Sequence, residues 1–152
     1  MIVFIVCRQL FFSRYSNFEL NKQIPNITKV PHILLCDDAF DALRRLAAEG
    51  KKYGIVILDP PSFAKKLADV LGALIAYERL VKLGLRVLEK DGVLVSASCS
   101  ARVPAETFFN TVIKAAGMAK RPLQVIEKTS HAIDHPIGFP EGAYLKCIFA
   151  RA

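Results

Sequence analysis

Two short segments of this chain combine residue types able to do covalent chemistry: Asp59-Pro60-Pro61-Ser62-Phe63 and Ser98-Cys99-Ser100. A cysteine thiolate is a strong nucleophile. A carboxylate on a proline-fixed corner can orient a polar substrate or steady developing charge. The prolines fix the backbone direction, and Pro60 biases Asp59 away from helical geometry. Serines flank Cys99, and Arg102 lies close by as a cation that favours the thiolate. Plainer readings exist for both segments: a rigid strand-to-helix turn with Asp59 on water, and a small buried apolar cysteine. Residue type alone leaves both open.

The elements around these segments place them together. Each follows an apolar run with strand character, Gly54-Ile55-Val56-Ile57-Leu58 and Gly92-Val93-Leu94-Val95-Ser96, and a helix-like stretch over 66–89 separates them. Strand, helix and strand in that order make a right-handed crossover with two parallel neighbours. The C-terminal ends of parallel strands emerge on one edge of the sheet, where open α/β folds bind ligands. Asp59 and Cys99 are therefore expected side by side, although 40 positions separate them.

The remaining pattern is that of an α/β domain. Strands are expected over 2–6 and 30–36, with a weak helix over 10–21 ended by Pro25 and Asn26. Residues 38–49 read as a helix with Phe40, Leu43, Leu46 and Ala47 on one face, Asp38 as its cap and Gly50 as its stop. Over 66–89, Leu67, Val70, Leu71, Leu74, Tyr77, Leu80, Val81 and Leu88 form an apolar stripe, with a break expected near Gly72 or Gly84. Pro104 suits the start of a helix whose Phe108, Phe109, Val112 and Ile113 face inward. Closing strands are expected over 123–128 and 144–150. The connection 131–143, holding His131, Asp134, His135 and Glu141, is long enough to suggest a functional loop.

Composition bounds the function classes. At 152 residues, 53% hydrophobic and 23% charged, the chain suits one domain with a sizeable core and is too apolar for a disordered one. Its net charge of +7 favours a polyanionic partner, nucleic acid first. Cys7, Cys36, Cys99 and Cys147 form no Cys-x-x-Cys pair, and no histidine stands at metal-ligand spacing, so neither a metal nor a disulfide framework is expected. The cysteine usage suits a reducing cytoplasm. The apolar opening, broken by Arg8, is too short for a membrane span and is read as a buried strand.

Four segments in order resemble a known family: Asp38-Ala39-Phe40; Asp59-Pro60-Pro61-Ser62-Phe63-Ala64-Lys65; Ser98-Cys99-Ser100 with Val103; and Asp134-His135-Pro136 followed by Phe139-Pro140-Glu141 and Tyr144-Leu145-Lys146. They resemble the class I S-adenosylmethionine-dependent methyltransferases of large-subunit ribosomal RNA, in the 5-methylcytosine branch that normally carries an N-terminal PUA domain. The resemblance covers residues from about 35 to 150. It implies Cys99 as the nucleophile on carbon 6 of cytosine and Asp59 as the acid that bonds the ring nitrogen. It assigns Asp38, Phe40, Asp59, Pro60 and Pro61 to the cofactor. Phe63, Lys65, Arg102, Asp134 and His135 fall on the substrate side, with ribosomal RNA as the partner.

The first 34 residues match that family poorly. No glycine precedes Gly50, so the glycine-rich loop after the family's first strand is absent, and Cys7 stands where an acid usually holds the ribose. On that alignment 2–6 is the family's second strand, with Asn17 and Asn21 in the helix after it; alternatively 2–6 has slid into the place of the first strand. The expected architecture is a Rossmann-like α/β methyltransferase domain truncated at its N-terminus, mostly parallel with an antiparallel C-terminal strand. Uncovered strand edges would favour a homodimer. Two rival functions stand beside this one. Methylation of an exocyclic amine also uses Asp-Pro-Pro corners, but wants an aromatic where Ser62 stands and needs no thiol. A non-catalytic RNA-binding remnant would keep only the basic surface.

Overall fold

The computed structural model describes residues 2–6, 32–132, 136–139 and 142–152, with only the backbone of 2–6, 32 and 34. The expected helix over 10–21, Cys7, Asn17, Asn21, Asp134, His135 and Glu141 lie outside the described residues. The chain divides into two compact units, Met1–Glu49 and Gly50–Ala152.

In the first unit β1 (Ile2–Val6) pairs in parallel with β2 (His32–Cys36), from Ile2 opposite His32 to Val6 opposite Cys36. Helix α1 (Ala39–Ala48) follows at once, because Asp38 stays extended and its carboxylate accepts the orphan amides of Phe40 and Asp41. Ala42, Leu43 and Leu46 are its buried face. Gly50 then takes φ +69°, a left-handed turn that favours glycine and closes the helix.

The second unit carries a four-stranded sheet in the order β3-β4-β6-β5, formed by β3 (Tyr53–Leu58), β4 (Leu88–Ser98), β5 (Gln124–Thr129) and β6 (Lys146–Arg151). β3 and β4 are parallel, joined through helix α2 (Val70–Val87), as the strand-helix-strand order requires. The last strand, β6, enters antiparallel between β4 and β5. Helix α3 (Ala105–Met118) begins directly after Pro104, whose fixed φ suits the cap position, and packs against α2.

The long helix differs from the sequence expectation at both ends. A 3-10 turn over Leu67–Asp69 precedes α2, and the helix stops at Val87 because Leu88 turns extended and pairs with Tyr53. The fourth strand therefore starts at Leu88 and not at 92. Neither Gly72 nor Gly84 breaks the helix. Gly84 instead permits close packing, since a Cβ there would lie 3.0 Å from a methyl of Leu58. A stripe of buried positions on α2 runs through Ala73, Tyr77, Leu80, Gly84 and Val87, spaced three or four residues apart. Leu67 and Leu71, expected in that stripe, are 77% and 71% exposed, because the 3-10 turn and first helical turn precede the part that lies on the sheet. Ile113 is also exposed, with Ala115 and Ala116 taking the inward positions of α3.

On β3, Val56 and Leu58 are buried while Ile55 and Ile57 are 63% and 67% exposed, the alternation of an edge strand covered on one face. Among the described residues, no helix is long and apolar enough to cross a membrane, and no cluster of three His, Cys, Asp or Glu residues could hold a metal.

The burial pattern separates two substitutions. Phe108→Ala removes a fully buried ring and is expected to cost about 3–5 kcal/mol. Leu71→Ser, on the exposed turn, is expected to change stability by less than about 0.5 kcal/mol. Urea unfolding of both variants checks this, and comparable losses would contradict the facing of α2.

Candidate active site

The parallel register of β3 and β4, running from Ile55 opposite Val93 to Leu58 opposite Ser96, sends both chemistry-bearing segments out of the same edge. The Cys99 thiol lies 4.0 Å from the Pro60 carbonyl oxygen, a long sulfur hydrogen bond that joins the two segments directly. The expected juxtaposition is present. Cys99 is half-buried and Asp59 exposed, so a thiol and a carboxylate border one accessible edge. Asp59 acts electrostatically on both Tyr77 and Cys147, which places its charge among the same groups.

Beneath this edge runs a chain of hydroxyls that links the segments. Tyr77 Oη lies 2.8 Å from Ser98 Oγ and 3.1 Å from Ser100 Oγ, and Ser100 Oγ lies 3.0 Å from Ser62 Oγ. Ser62 donates to the Ala64 carbonyl at 3.2 Å. Each hydroxyl owns one proton, so that last bond sets the direction of the others. Ser62 must accept from Ser100, Ser100 from Tyr77, and Tyr77 from Ser98. The Ser100 amide in turn donates to Ser98 Oγ at 3.3 Å. Every member is satisfied, as burial demands. Burial pushes the Tyr77 phenol up, the serine hydrogen bonds oppose this, and the Cys99 and Asp59 charges add to it, so Tyr77 keeps its proton near neutral pH.

Aromatic packing fixes the same group. The Tyr77 ring meets Phe63 at 5.0 Å and Phe108 edge-on at 5.0 Å. Phe63, assigned by sequence to the substrate side, thus rests half-buried on Tyr77. Lys65 and Arg102 are exposed. In the first unit Asp38 caps α1 through one carboxylate oxygen, at 2.9 Å from the Phe40 amide and 3.2 Å from that of Asp41. Asp134 and His135 lie outside the described residues. His131 Nε2 accepts the amides of Tyr144 and Leu145 at 3.1 and 3.0 Å, and its ring packs edge-on to Tyr144, tying the start of the long loop to the entry of β6.

The sequence placed Ser62, Ser98 and Ser100 in the two chemistry-bearing segments without a role of their own, and did not single out Tyr77 or Lys146 as site residues. Tyr77 read as one more apolar stripe position. Lys146 is buried, and its ammonium donates to the carbonyls of Ser100, Val103 and Tyr144. A lysine at an inward position of an alternating strand was the available signal. A separate cleft of about 550 Å³ lies at the other end of β4, lined by Lys52, Leu88, Lys90 and Lys120 among others. Arg121 beside it is committed to the carbonyls of Leu85, Leu88, Glu89 and Ala152, so its guanidinium closes the end of α2.

Tyr77→Phe removes the middle of the hydroxyl chain and strands buried partners at a cost of about 1–3 kcal/mol. In a double-mutant cycle with Ser100→Ala, the coupling is expected to exceed about 0.5 kcal/mol. Additive urea midpoints would show that the hydroxyls do not act as one chain.

No family model matches the chain. Curated relatives do. Ribosomal RNA large subunit methyltransferase I of Shewanella amazonensis is 43% identical over 116 residues, covering 75% of this chain and 29% of the relative. The ribosomal RNA large subunit methyltransferase of Deinococcus radiodurans is 40% identical over 139 residues, covering 91% of this chain and 33% of the relative. The chain thus spans about a third of the length of these relatives. Among solved structures, a protein assigned as a SAM-dependent methyltransferase from Streptococcus mutans superposes with a TM-score of 0.67 at 22% identity, over 80% of this chain and 31% of that one. An SAH-bound protein assigned as a methyltransferase gives 0.71 at 24%, over 91% of this chain and 35% of that one. The described α/β sheet is consistent with these folds. The chain therefore has the α/β fold of class I SAM-dependent methyltransferases, and its homologues are large-subunit ribosomal RNA methyltransferases.

Proposed function

We propose that this chain carries the substrate-facing part of an S-adenosylmethionine-dependent ribosomal RNA methyltransferase, in the cytosine-5 branch that bears a PUA domain, with Cys99 as nucleophile. The observation that carries this reading is the Cys99 thiol set against the Pro60 carbonyl, beside Asp59, at the C-terminal edge of two parallel strands. The homologues named above support ribosomal RNA as the substrate class, and the net charge of +7 suits a polyanion. A thiol at this edge also counts against an exocyclic-amine target, whose methylation needs none.

Carbon 5 of cytosine is a poor nucleophile until the ring is activated. In the proposed reaction the Cys99 sulfur forms a bond to carbon 6, and the electrons of the 5,6 double bond move into the ring and leave carbon 5 enamine-like. Asp59, donating from its carboxyl O–H to ring nitrogen 3, steadies the negative charge that builds there. S-adenosylmethionine, when bound, supplies an electrophilic methyl group on a sulfonium. Once carbon 5 carries the methyl group, loss of its proton to solvent re-forms the 5,6 double bond, and the bond from carbon 6 to sulfur breaks with its electrons returning to the Cys99 sulfur. The fixed direction of Pro60 and Pro61 holds Asp59 in place without a flexible loop.

The residues fit part of the cofactor. In the first unit, the Asp38 oxygen not used in the helix cap makes no bond among the described residues and can accept an adenine amine, with Phe40 next to it. In the second, the Asp59-Pro60-Pro61 backbone is assigned to the cofactor side. No glycine precedes Gly50, so the loop that would cradle the amino-acid end has no counterpart in this sequence.

RNA bearing 5-fluorocytosine at the target tests the chemistry, because fluorine at carbon 5 blocks release of the enzyme. With cofactor, and with the missing part of the site supplied by a full-length relative's N-terminal segment, a stable covalent adduct is expected. Cys99→Ala abolishes it, while Cys36→Ala and Cys147→Ala leave it intact. An adduct that survives Cys99→Ala removes the mechanism.

The 152-residue chain by itself is expected to bind S-adenosylmethionine weakly. Losing two or three hydrogen bonds, on the order of 3–5 kcal/mol in all, lowers affinity roughly a hundred- to several-thousand-fold. Calorimetric titration checks this, and tight stoichiometric binding would mean that the N-terminal segment supplies those contacts.

A further inference from the structure

We propose that Lys146 is a positioning residue for the Cys99 nucleophile, a buried cation that pins the loop carrying the thiol and sets positive charge next to it. The proposal rests on the reading of Cys99 as the reacting thiol. Lys146 begins β6, opposite Ser98. Alternation along β6 buries Lys146, Ile148 and Ala150 on one face, so the lysine occupies a core position and is 3% exposed. A charge there is costly unless its surroundings compensate it.

The surroundings are unusual for a buried lysine. The three ammonium protons match three carbonyl oxygens: Ser100, Val103 at 2.7 Å and Tyr144 at 3.2 Å. Two of these belong to the loop that follows Cys99, one directly after it and one just before Pro104 and α3. Lys146 forms no ion pair with a carboxylate among the described residues. Carbonyl dipoles alone compensate a buried charge incompletely. Burial lowers the Lys146 amine from the ordinary lysine range, and the electrostatic influence of Cys99 opposes that lowering.

A purely structural lysine would be replaceable. Methionine fills similar space, and glutamine can still donate to one of the carbonyls. What neither supplies is positive charge beneath the nucleophile, where low dielectric makes it count for more than at the surface. Arg102, the cation the sequence pointed to, is exposed and open to screening.

Alkylation by iodoacetamide at neutral pH, with each cysteine followed by peptide mass spectrometry, tests this without RNA or cofactor. Lys146→Met and Lys146→Gln are both expected to slow labelling of Cys99 about tenfold, leaving Cys36 and Cys147 within about twofold of the starting rates. Thermal melting confirms that each variant is folded. Either folded variant labelling Cys99 at the unsubstituted rate overturns the proposal. Should neither fold, the unsubstituted chain decides: Cys99 is expected to react faster than the exposed Cys36, and a rate no faster overturns it. A Lys146 effect on alkylation without a 5-fluorocytosine adduct would sink the methylation reading alone.

Discussion

The parallel register of β3 on β4 is the constraint on which the rest of the second unit depends. Side chains alternate along a strand, so a slip of one residue would exchange the faces of the whole segment. In the observed register Ser96, Ser98 and Ser100 are buried, while Cys99 between the last two is half-exposed. A slipped β4 would bury the thiol and turn the serines outward, and the hydroxyl chain to Tyr77 would have no members.

That register is enforced at the start of β4. Tyr53 pairs with Leu88, but Ile55 pairs with Val93, so the strand gains residues that β3 does not match. Asp91 takes φ 61° within this irregularity, and Gly92 follows where a Cβ would lie 2.9 Å from the Gly54 carbonyl oxygen. Two glycines facing each other let the backbones close up, and pairing is regular from there to Ser96. The irregularity sits at the end of the sheet away from Cys99, where misfit does not disturb the reacting edge.

Polar groups beneath the edge then convert position into rigidity. The hydroxyls of Ser62 and Tyr77 and the Lys146 ammonium reach the segment 98–103, where they bond the Ser98 and Ser100 hydroxyls and the Ser100 and Val103 carbonyls. Tyr77 draws three distant segments together, since its ring packs on Phe63 and Phe108 while its hydroxyl holds Ser98 and Ser100. The thiol is therefore held by the loop's backbone, with its own weak bond to Pro60 adding little.

What the sequence by itself determined is the order of elements and the location of the chemistry. Apolar runs ending in Asp59 and Ser98, joined by a helical stretch, leave one crossover topology, because chirality admits only the right-handed connection. The Asp38 cap, the Gly50 stop and the Pro104 helix start were legible for the same reason: each acts within four residues. The sequence could not determine where α2 ends, since Leu88 suits helix and strand alike until Tyr53 pairs with it. Nor could it separate Leu71 from Tyr77, both apolar-stripe residues, because the surface that covers one and not the other comes from distant β-strands and α3. Nearness along the chain singled out Arg102, not Lys146, as the cation beside Cys99. Only the antiparallel insertion of β6 beside β4 carries Lys146 under a loop more than 40 positions earlier and leaves Arg102 in water. Contacts between residues far apart in the chain are set by packing, which local sequence pattern does not encode.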